Sequence, residues 1–478
     1  MREVLRNVMD SAASHADYAD VRHVRLRQEA IAMRNGELDE LDSHEEEGFG
    51  VRVQIGGRWG FAAAAGSHQA AAEEALSRAL TVADAQPSAG SRALTDEPAA
   101  DGSYSSPAEI DPFSISLEDK LALLTAADAA LRVEPGVAVA LAYVESRAEQ
   151  KTFSSTDGGF FEQRTVECGG GIEATAVRDG ESQTRSYPAS HSGGIAQAGW
   201  EHVQALDLVG NAARVAEEAV ALLDAPPCPE GRTTLVLAGE QLGLQIHESV
   251  GHAVELDRIL GYEASYAGTS WVPADEIGSL RYGSDAMSIT ADATLPRGLG
   301  SYGWDDEGVA AQPLQIVRDG VLQGVLSSRE SAAEIGLTRS GGCSRAEGFA
   351  RQPIVRMTNV SLDPGTAGSL GDLLAGVDRG ILIDTNRSWS IDSRRLHFQF
   401  GGQVAWEIVD GELGRMLRDP VYSGVTPRFW ANLDGVCSED EWRLVSLTNC
   451  GKGEPGQMAR VSHGGAPARF RDVQVGAA

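Results

Sequence analysis

The chain has 478 residues, of which 42% are apolar and 23% are charged, a composition typical of a globular protein. This length exceeds what one ordinary hydrophobic core holds, so we expect two domains. Forty basic residues against 69 acidic ones give a net charge of −29. Such an acidic surface repels phosphate backbones, so the sequence disfavours nucleic-acid binding.

The sequence also disfavours membrane insertion, export and a disulfide framework. No apolar run approaches the ~20 residues needed to span a bilayer, and the first residues are charged throughout, without a signal-peptide core. We therefore expect a cytoplasmic protein. The five cysteines are odd in number and widely spaced, which argues against disulfides and makes a metal ligand or a nucleophile the special roles to consider.

Residue spacing in the N-terminal half predicts helices and hairpins. Amphipathic spacing places helices over roughly the first 15 residues, 69–86, 117–132 and about 205–224. Alternating apolar residues predict a hairpin around Gly56-Gly57 and strands through 137–190, with turns at Asp157-Gly158-Gly159 and Asp179-Gly180. This half is predicted to be an α/β domain of antiparallel strands with flanking helices.

The segment Asp224–Gly231 contains three prolines and cannot continue a helix, so it is the candidate linker. It separates a domain at 1–225 from one at 232–478. The second domain opens with a strand at Thr233–Ala238 and a helix, followed by hairpins that turn at Asp319-Gly320 and Asp410-Gly411. We predict an α+β fold whose C-terminal domain is β-rich, as a curved or barrel-like sheet, and carries a metal-site helix.

That helix contains His247-Glu248-Ser249-Val250-Gly251-His252, two histidines with a carboxylate beside the first. On a regular helix five residues advance the side chain by roughly 500°, which leaves the two imidazoles about 140° apart. A π turn brings the fifth residue back near alignment. Gly251 lets the backbone deform. The spacing therefore predicts a helix that is locally opened at Val250–Gly251.

Two imidazoles and a thiolate suit Zn²⁺, and three protein ligands with an open position are typical of a catalytic site. Glu248 is then the candidate general base, while Glu255 and Asp257 are candidate acceptors for imidazole N–H groups. The alternative is two structural histidines satisfied by nearby carboxylates, and a cysteine buried as a small apolar residue. Spacing alone does not select Cys450 among the five cysteines.

The stretch Gln245–Asp257 resembles the signature of the TldD/PmbA family of peptidases, first named as modulators of DNA gyrase. Further matches follow in order along nearly the whole chain: Arg34-Asn-Gly36, Gly48-Phe-Gly-Val-Arg-Val53, Asp305-Asp-Glu-Gly308, Arg394-Arg-Leu-His-Phe-Gln-Phe400 and Asn449-Cys-Gly-Lys-Gly-Glu-Pro-Gly-Gln457. Ser249 and Leu256 depart from the family pattern, where we expect Ala and Gly, and these changes concern packing rather than chemistry.

The resemblance implies that His247, His252 and Cys450 bind zinc and that Glu248 is the catalytic residue. It implies hydrolysis of short or unstructured peptides held as extended strands, and a dimer formed either with a TldE/PmbA-like partner or with a second copy. Since the motif is intact, the chain resembles the active subunit. The alternative is a non-catalytic peptide-binding or scaffold subunit of a TldD/TldE-type complex.

Other polar groups offer secondary candidates. Asp305, Asp306 and Glu307 could bind a metal or a substrate N-terminus, or form a solvated acidic turn. Lys452 could favour the thiolate of Cys450. We expect His463, which lies among strand or turn residues, to be a satisfied structural histidine.

Overall fold

The fold is organised by two large β-sheets, one in each half of the chain. The computed structural model describes residues 1–87, 93–191, 193–453 and 455–476. Among these residues, no helix combines the length and apolar character needed to cross a bilayer. The protein is of the mixed α+β class, as predicted, with an N-terminal sheet that is antiparallel except at one strand pair and a large mixed C-terminal sheet.

The N-terminal half contains five α-helices and eight strands within the described residues. The helices are α1 (Arg2–Ala12), α2 (Gln69–Ala85), α3 (Leu117–Leu131), α4 (Trp200–Leu206) and α5 (Leu208–Leu222). The strands are β1 (Tyr18–Arg34), β2 (Glu37–Ile55), β3 (Arg58–Ala65), β4 (Asp101–Ser105), β5 (Val137–Ser155), β6 (Phe160–Arg178), β7 (Glu181–Tyr187) and β8 (Ile195–Ala196).

The N-terminal sheet has the order β3-β2-β1-β5-β6-β4, with β7 and β8 also paired to β6. Helices α1 and α2 pack on one part of it against alternating residues such as Val21 and Val51, while α3, α4 and α5 pack on another part against residues such as Ile31 and Ala142. The helix predicted at about 205–224 corresponds to α5, and α4 precedes it; Asp207, in a left-handed conformation (φ 46°), separates the two helices.

The C-terminal half carries more strand and shorter helices. Its strands are β9 (Gly231–Leu237), β10 (Ile289–Asp292), β11 (Pro313–Arg318), β12 (Val321–Leu322), β13 (Ser344–Arg345), β14 (Ile354–Val355), β15 (Val360–Leu362), β16 (Arg379–Ile383), β17 (Asn386–Ile391), β18 (His397–Gly402), β19 (Ala405–Val409), β20 (Glu412–Leu417), β21 (Val421–Val425), β22 (Leu433–Val436), β23 (Arg443–Lys452), β24 (Gln457–Gly465) and β25 (Ala468–Val475). The α-helices are α6 (Gly239–Ile246), α7 (Leu256–Ile259), α8 (Arg329–Glu334), α9 (Leu370–Ala375) and α10 (Thr426–Ala431).

The main C-terminal sheet has the order β17-β18-β21-β25-β9-β16-β19-β20, with β22 also on β25, and only β9 and β16 in this order run parallel. Strands β23 and β24 form a separate two-stranded ribbon. One hydrophobic core runs from Cys228 to Val475 and includes Leu242 and Ile246 of α6. The helix that carries the motif is therefore buried inside the C-terminal core rather than lying on its surface.

The predicted linker, Asp224–Gly231, is bonded to the C-terminal half of the chain. Pro227 forms a β-bridge with Arg418, and the Cys228 amide donates to the Arg418 carbonyl at 2.8 Å. The domain boundaries at 225 and 232 stay a prediction. Buried ion pairs also join the N-terminal sheet to the C-terminal half, with Arg52 Nη1 at 2.7 Å from Glu307 Oε1 and Lys151 Nζ at 2.7 Å from Asp306 Oδ1.

Candidate metal centre

The motif helix changes its winding at the first histidine. Helix α6 ends at Ile246, a π turn covers His247–Gly251, and the His252 amide donates to the His247 carbonyl five residues back. The two imidazole rings consequently lie 4.6 Å apart between centroids. The predicted local opening of the helix is confirmed, and a wider turn is what aligns residues spaced by five.

Ser249, in this turn, is hydrogen-bonded both within the helix and to two other segments. The Ser249 hydroxyl donates to the Gln245 carbonyl at 2.5 Å and accepts from Trp430 Nε1 at 2.9 Å. The Tyr282 hydroxyl donates to the Ser249 carbonyl at 2.6 Å. Because a π turn leaves regular helical partners unpaired, these bonds satisfy backbone groups that would otherwise be buried without one. Ser249, where the resemblance led us to expect Ala, thus supplies polar contacts as well as packing.

Gly251 is needed for space, which corrects the reason expected from the sequence. Its backbone is ordinary right-handed helix, with φ −50° and ψ −58°, so it uses no freedom peculiar to glycine. A Cβ atom at this position would overlap the Sδ atom of Met357, which is fully buried. The glycine therefore allows a second segment of the core to approach the π turn closely.

The third candidate ligand, Cys450, lies on the β23–β24 ribbon. Cys450 on β23 is 3% exposed, and its Sγ lies 3.7 Å from His252 Nε2. Ligand atoms of His247, His252 and Cys450 all lie within 4.8 Å of one another. A tetrahedral zinc with ordinary Zn–N and Zn–S bonds places nitrogen and sulfur about 3.6 Å apart, so this donor set fits zinc.

Hydrogen bonds orient both imidazoles toward the centre. His463 Nδ1 lies 2.8 Å from the Val360 carbonyl and must donate to it, so its Nε2 accepts from His247 Nδ1 at 2.7 Å. His252 Nδ1 lies 2.9 Å from Glu255 Oε2. In each ligand the Nδ1 therefore carries the proton, and the Nε2 lone pair is left for the metal.

The electrostatics of the centre also favour metal-binding protonation states. Burial lowers the pKa of both His247 and His252 to about 4, so both are neutral at physiological pH. Burial acts to raise the pKa of Cys450, but the Arg356 guanidinium and His252 outweigh it and bring the pKa down to about 7. Arg356, which also donates to the Cys450 carbonyl, thus favours the thiolate of Cys450, the role that the sequence suggested for Lys452.

Lys452 instead belongs to a charged network beneath His252. It is fully buried, donates to Asp257 Oδ1 at 2.7 Å, and lies 3.4 Å from Glu255 Oε1. Burial acts to raise the pKa of Glu255, but Lys452, His252 and Arg258 hold it well below its usual value. Glu255 is therefore an ionised acceptor for His252, while Asp257 contacts Lys452 rather than an imidazole.

Glu248 projects from the π turn and is 6% exposed. Arg395 Nη1 donates to its Oε2 at 2.5 Å. Arg395 has a left-handed backbone (φ 62°), which costs about 1–2 kcal/mol for a residue with a side chain. The structure thus pairs the candidate base with Arg395, a residue of the stretch Arg394–Phe400 to which the sequence assigned no role.

The acidic run at 305–307 is buried and already engaged. Asp305 Oδ1 accepts the amides of Glu307 and Val309, Asp306 Oδ2 accepts the amide of Ala346, and Glu307 Oε2 accepts the amide of Arg329. Asp305 and Asp306 also line a cavity of about 410 Å³ between the N-terminal sheet and the β23–β24 ribbon. A solvated acidic turn is excluded by this burial, and the substrate-binding role stays a prediction.

Comparison with known proteins covers the whole chain. Residues 230–477 match the PmbA/TldA metallopeptidase C-terminal domain, residues 19–83 match domain 1, and residues 110–223 match the central domain. A metalloprotease of Methanothermobacter thermautotrophicus is 30% identical over 99% of this chain and 98% of its own length. A zinc metalloprotease TldD homolog of Saccharolobus solfataricus is 27% identical over 52% of each chain.

Solved structures share the fold at low sequence identity. A Thermotoga maritima protein superposes with a TM-score of 0.78 at 17% identity, covering 99% of this chain and 100% of its own. TldE from Thermococcus kodakarensis superposes with a TM-score of 0.73 at 15% identity, again covering 99% and 100%. These two likenesses establish the architecture of all three matched regions.

Proposed function

The chain belongs to the PmbA/TldA metallopeptidase family, and we propose that it hydrolyses short or unstructured peptides with zinc held by His247, His252 and Cys450. Metallopeptidase homology extends along the whole chain. The observation that carries the finer proposal is the convergence of the three buried donor atoms, which come from a π turn and a distant strand. The zinc metalloprotease name of the Saccharolobus relative supports the choice of metal.

Zinc bound by these residues would polarise the scissile carbonyl and make water acidic enough to attack near neutral pH. His463 and Glu255 hold the imidazoles in the tautomer that binding requires. Glu248 takes one proton from the attacking water and transfers it to the leaving amine nitrogen. A C–O bond forms, the C–N bond breaks, and Glu248 ends as the carboxylate with which it began.

The β23–β24 ribbon supports an extended substrate. Cys450 lies on β23, which among the described residues pairs with β24 and with no other strand. A free strand edge can take a peptide by adding a further strand, and this mode reads main-chain groups of an unfolded segment. Folded proteins present few such segments, so the proposal restricts substrates to short or unstructured peptides.

The test is Glu248→Gln in zinc-reconstituted protein, with Glu276→Gln, an exposed residue, as the matched control. A pool of unstructured synthetic peptides is incubated with each protein and read by mass spectrometry. We expect cleavage by the wild type and the control, loss of cleavage in Glu248→Gln, and one zinc per chain in all three. Unchanged turnover in Glu248→Gln would exclude Glu248 as the base.

The same preparation distinguishes the non-catalytic alternative. A protein that binds peptides but retains only a small fraction of one zinc per chain after reconstitution, and cleaves nothing, would be a scaffold subunit. The proposal also includes a dimer, either with a TldE/PmbA-like partner or with a second copy, supported by the shared fold of TldE. Purification from the source cells and native mass spectrometry identify which partner is present.

A further inference from the structure

The guanidinium of Arg395 lies at the candidate metal centre, and peptide hydrolysis by zinc and Glu248 as proposed does not use it. Its Nη1 donates to Glu248 Oε2 at 2.5 Å. The cation therefore stands beside the candidate base at the candidate metal centre.

Arg395 has hydrogen-bonding capacity that the described residues do not use. Its Nε is buried and has no hydrogen-bond partner among residues 1–87, 93–191, 193–453 and 455–476. Buried N–H groups in native proteins are nearly always paired, so an unpaired one at a site calls for an explanation. Although Nε itself is buried, the side chain as a whole is 16% exposed, so a ligand entering from solvent can reach the side chain.

The backbone around Arg395 is held in its left-handed conformation by its neighbours. Asp392 Oδ1 accepts the amides of Arg394 and Leu396, at 3.1 and 2.8 Å. The Thr426 hydroxyl donates to the Arg395 carbonyl at 2.8 Å. Strained residues fixed in this way cluster at functional sites, and a donor fixed before substrate arrives needs no reorganisation during the reaction.

We propose that Arg395 is a catalytic residue that hydrogen-bonds the carbonyl oxygen of the scissile peptide bond and stabilises its negative charge. The inference rests on the proposed peptidase function. Attack by water forms the C–O bond and moves the carbonyl π pair onto oxygen, where the Arg395 N–H group binds it without giving up a proton. When the C–N bond breaks, that pair returns to the carbonyl.

Proximity to Glu248 selects this role over anchoring the C-terminal carboxylate of a peptide. The base and the scissile carbonyl both contact the attacking water, so we expect a donor bonded to the base to lie near the reacting bond. A C-terminal carboxylate belongs to at least one further residue, roughly 3.5 Å along an extended chain. We therefore assign Arg395 to the carbonyl oxygen of the scissile bond rather than to a C-terminal carboxylate.

The test uses Arg395→Asn, because asparagine adopts the left-handed conformation readily and so removes the donor without new strain. Arg394→Asn is the matched control, since it removes the same charge from an exposed neighbour in the same turn. Arg395→Lys keeps the charge with a different donor geometry. All are assayed as zinc-reconstituted full chains, with zinc content measured, on one peptide that the wild type cleaves, used both as the free acid and as the C-terminal amide. Binding is measured with a phosphinic tripeptide whose tetrahedral phosphinate carries the charge of the intermediate.

For Arg395→Asn we expect kcat to fall by roughly 10²–10³-fold with KM nearly unchanged, as on loss of an oxyanion donor. Phosphinate affinity, measured by calorimetry, should fall at least about tenfold in the same variant. The kcat and the phosphinate affinity of Arg395→Lys should lie between those of Arg395→Asn and the wild type. Both values for Arg394→Asn should match the wild type.

Three outcomes would overturn the inference. If kcat falls while phosphinate affinity does not, Arg395 only positions Glu248. If KM rises for free-acid peptides but not for their C-terminal amides, Arg395 anchors the carboxylate instead. If the wild type itself neither cleaves peptides nor binds the phosphinate, the proposed function fails first and the inference fails with it.

Discussion

Replacing His463 by leucine removes the partner that fixes the His247 tautomer while keeping an apolar side chain in the core. His463 is 1% exposed and bridges His247 Nδ1 to the Val360 carbonyl, with distances of 2.7 and 2.8 Å. The substitution leaves a buried N–H and a buried C=O without a partner. At about 1–3 kcal/mol for each orphaned group, the free energy of unfolding should fall by about 2–6 kcal/mol.

Zinc affinity should fall as well, because the freed His247 ring can rotate or carry its proton on Nε2. Loss of an outer hydrogen-bond partner weakens metal sites about 10–100-fold, which corresponds to about 1.4–2.7 kcal/mol. Competition with a fluorescent chelator measures this affinity, and urea unfolding of the metal-free protein measures stability. His463→Gln, whose amide oxygen can accept from His247 Nδ1, should recover most of the affinity.

Tyr282→Phe is the matched control for this experiment. It removes the hydroxyl that donates to the Ser249 carbonyl in the same π turn, but it touches no candidate ligand. We expect a stability loss of about 1 kcal/mol and unchanged zinc affinity. If His463→Leu binds zinc as tightly as the wild type, the tautomer argument is refuted, whatever happens to stability.

Two further predictions concern the π turn and the thiol. Gly251→Ala should lower the free energy of unfolding by about 1–3 kcal/mol, because its Cβ overlaps Met357 Sδ. The double variant Gly251→Ala/Met357→Ala should lose less than the sum of the two single losses, since the smaller side chain makes room for the new methyl group; additive losses in urea unfolding would contradict this. The pKa of Cys450 is about 7 and those of both histidines are about 4, so between pH 5 and 7 only the thiol must lose a proton to bind zinc. Zinc affinity should therefore be nearly constant above pH 7 and fall about tenfold per pH unit from pH 7 to 5. A decline in affinity that begins near pH 9 would mean that the thiol has an ordinary pKa.

The sequence predicted those features that depend on local spacing. Period-two alternation gave the hairpin around Gly56-Gly57, and the five-residue spacing of His247 and His252 gave the π turn. Both follow from backbone geometry, which a short window of residues determines. The α+β class followed in the same way from the alternation of predicted helices and strands.

What the sequence could not predict depends on contacts between distant residues. His463 was expected to be a satisfied structural histidine, and it is satisfied, but its partner is a candidate ligand 216 positions away. Arg395 lies in a stretch that resembles the family, but its contact with Glu248 was not predicted because the two residues are 147 positions apart. The role of Gly251 was misjudged for the same reason, since Met357 lies on another segment.

Cys450 follows His252 by 198 residues, so the ribbon that carries it is synthesised well after the two histidines. A chain still on the ribosome holds two of the three candidate ligands until this ribbon has emerged and paired. Two imidazoles alone retain a metal weakly compared with the complete set. A chain that ends before β23 therefore lacks one of the three candidate ligands and should bind zinc more weakly than the full chain.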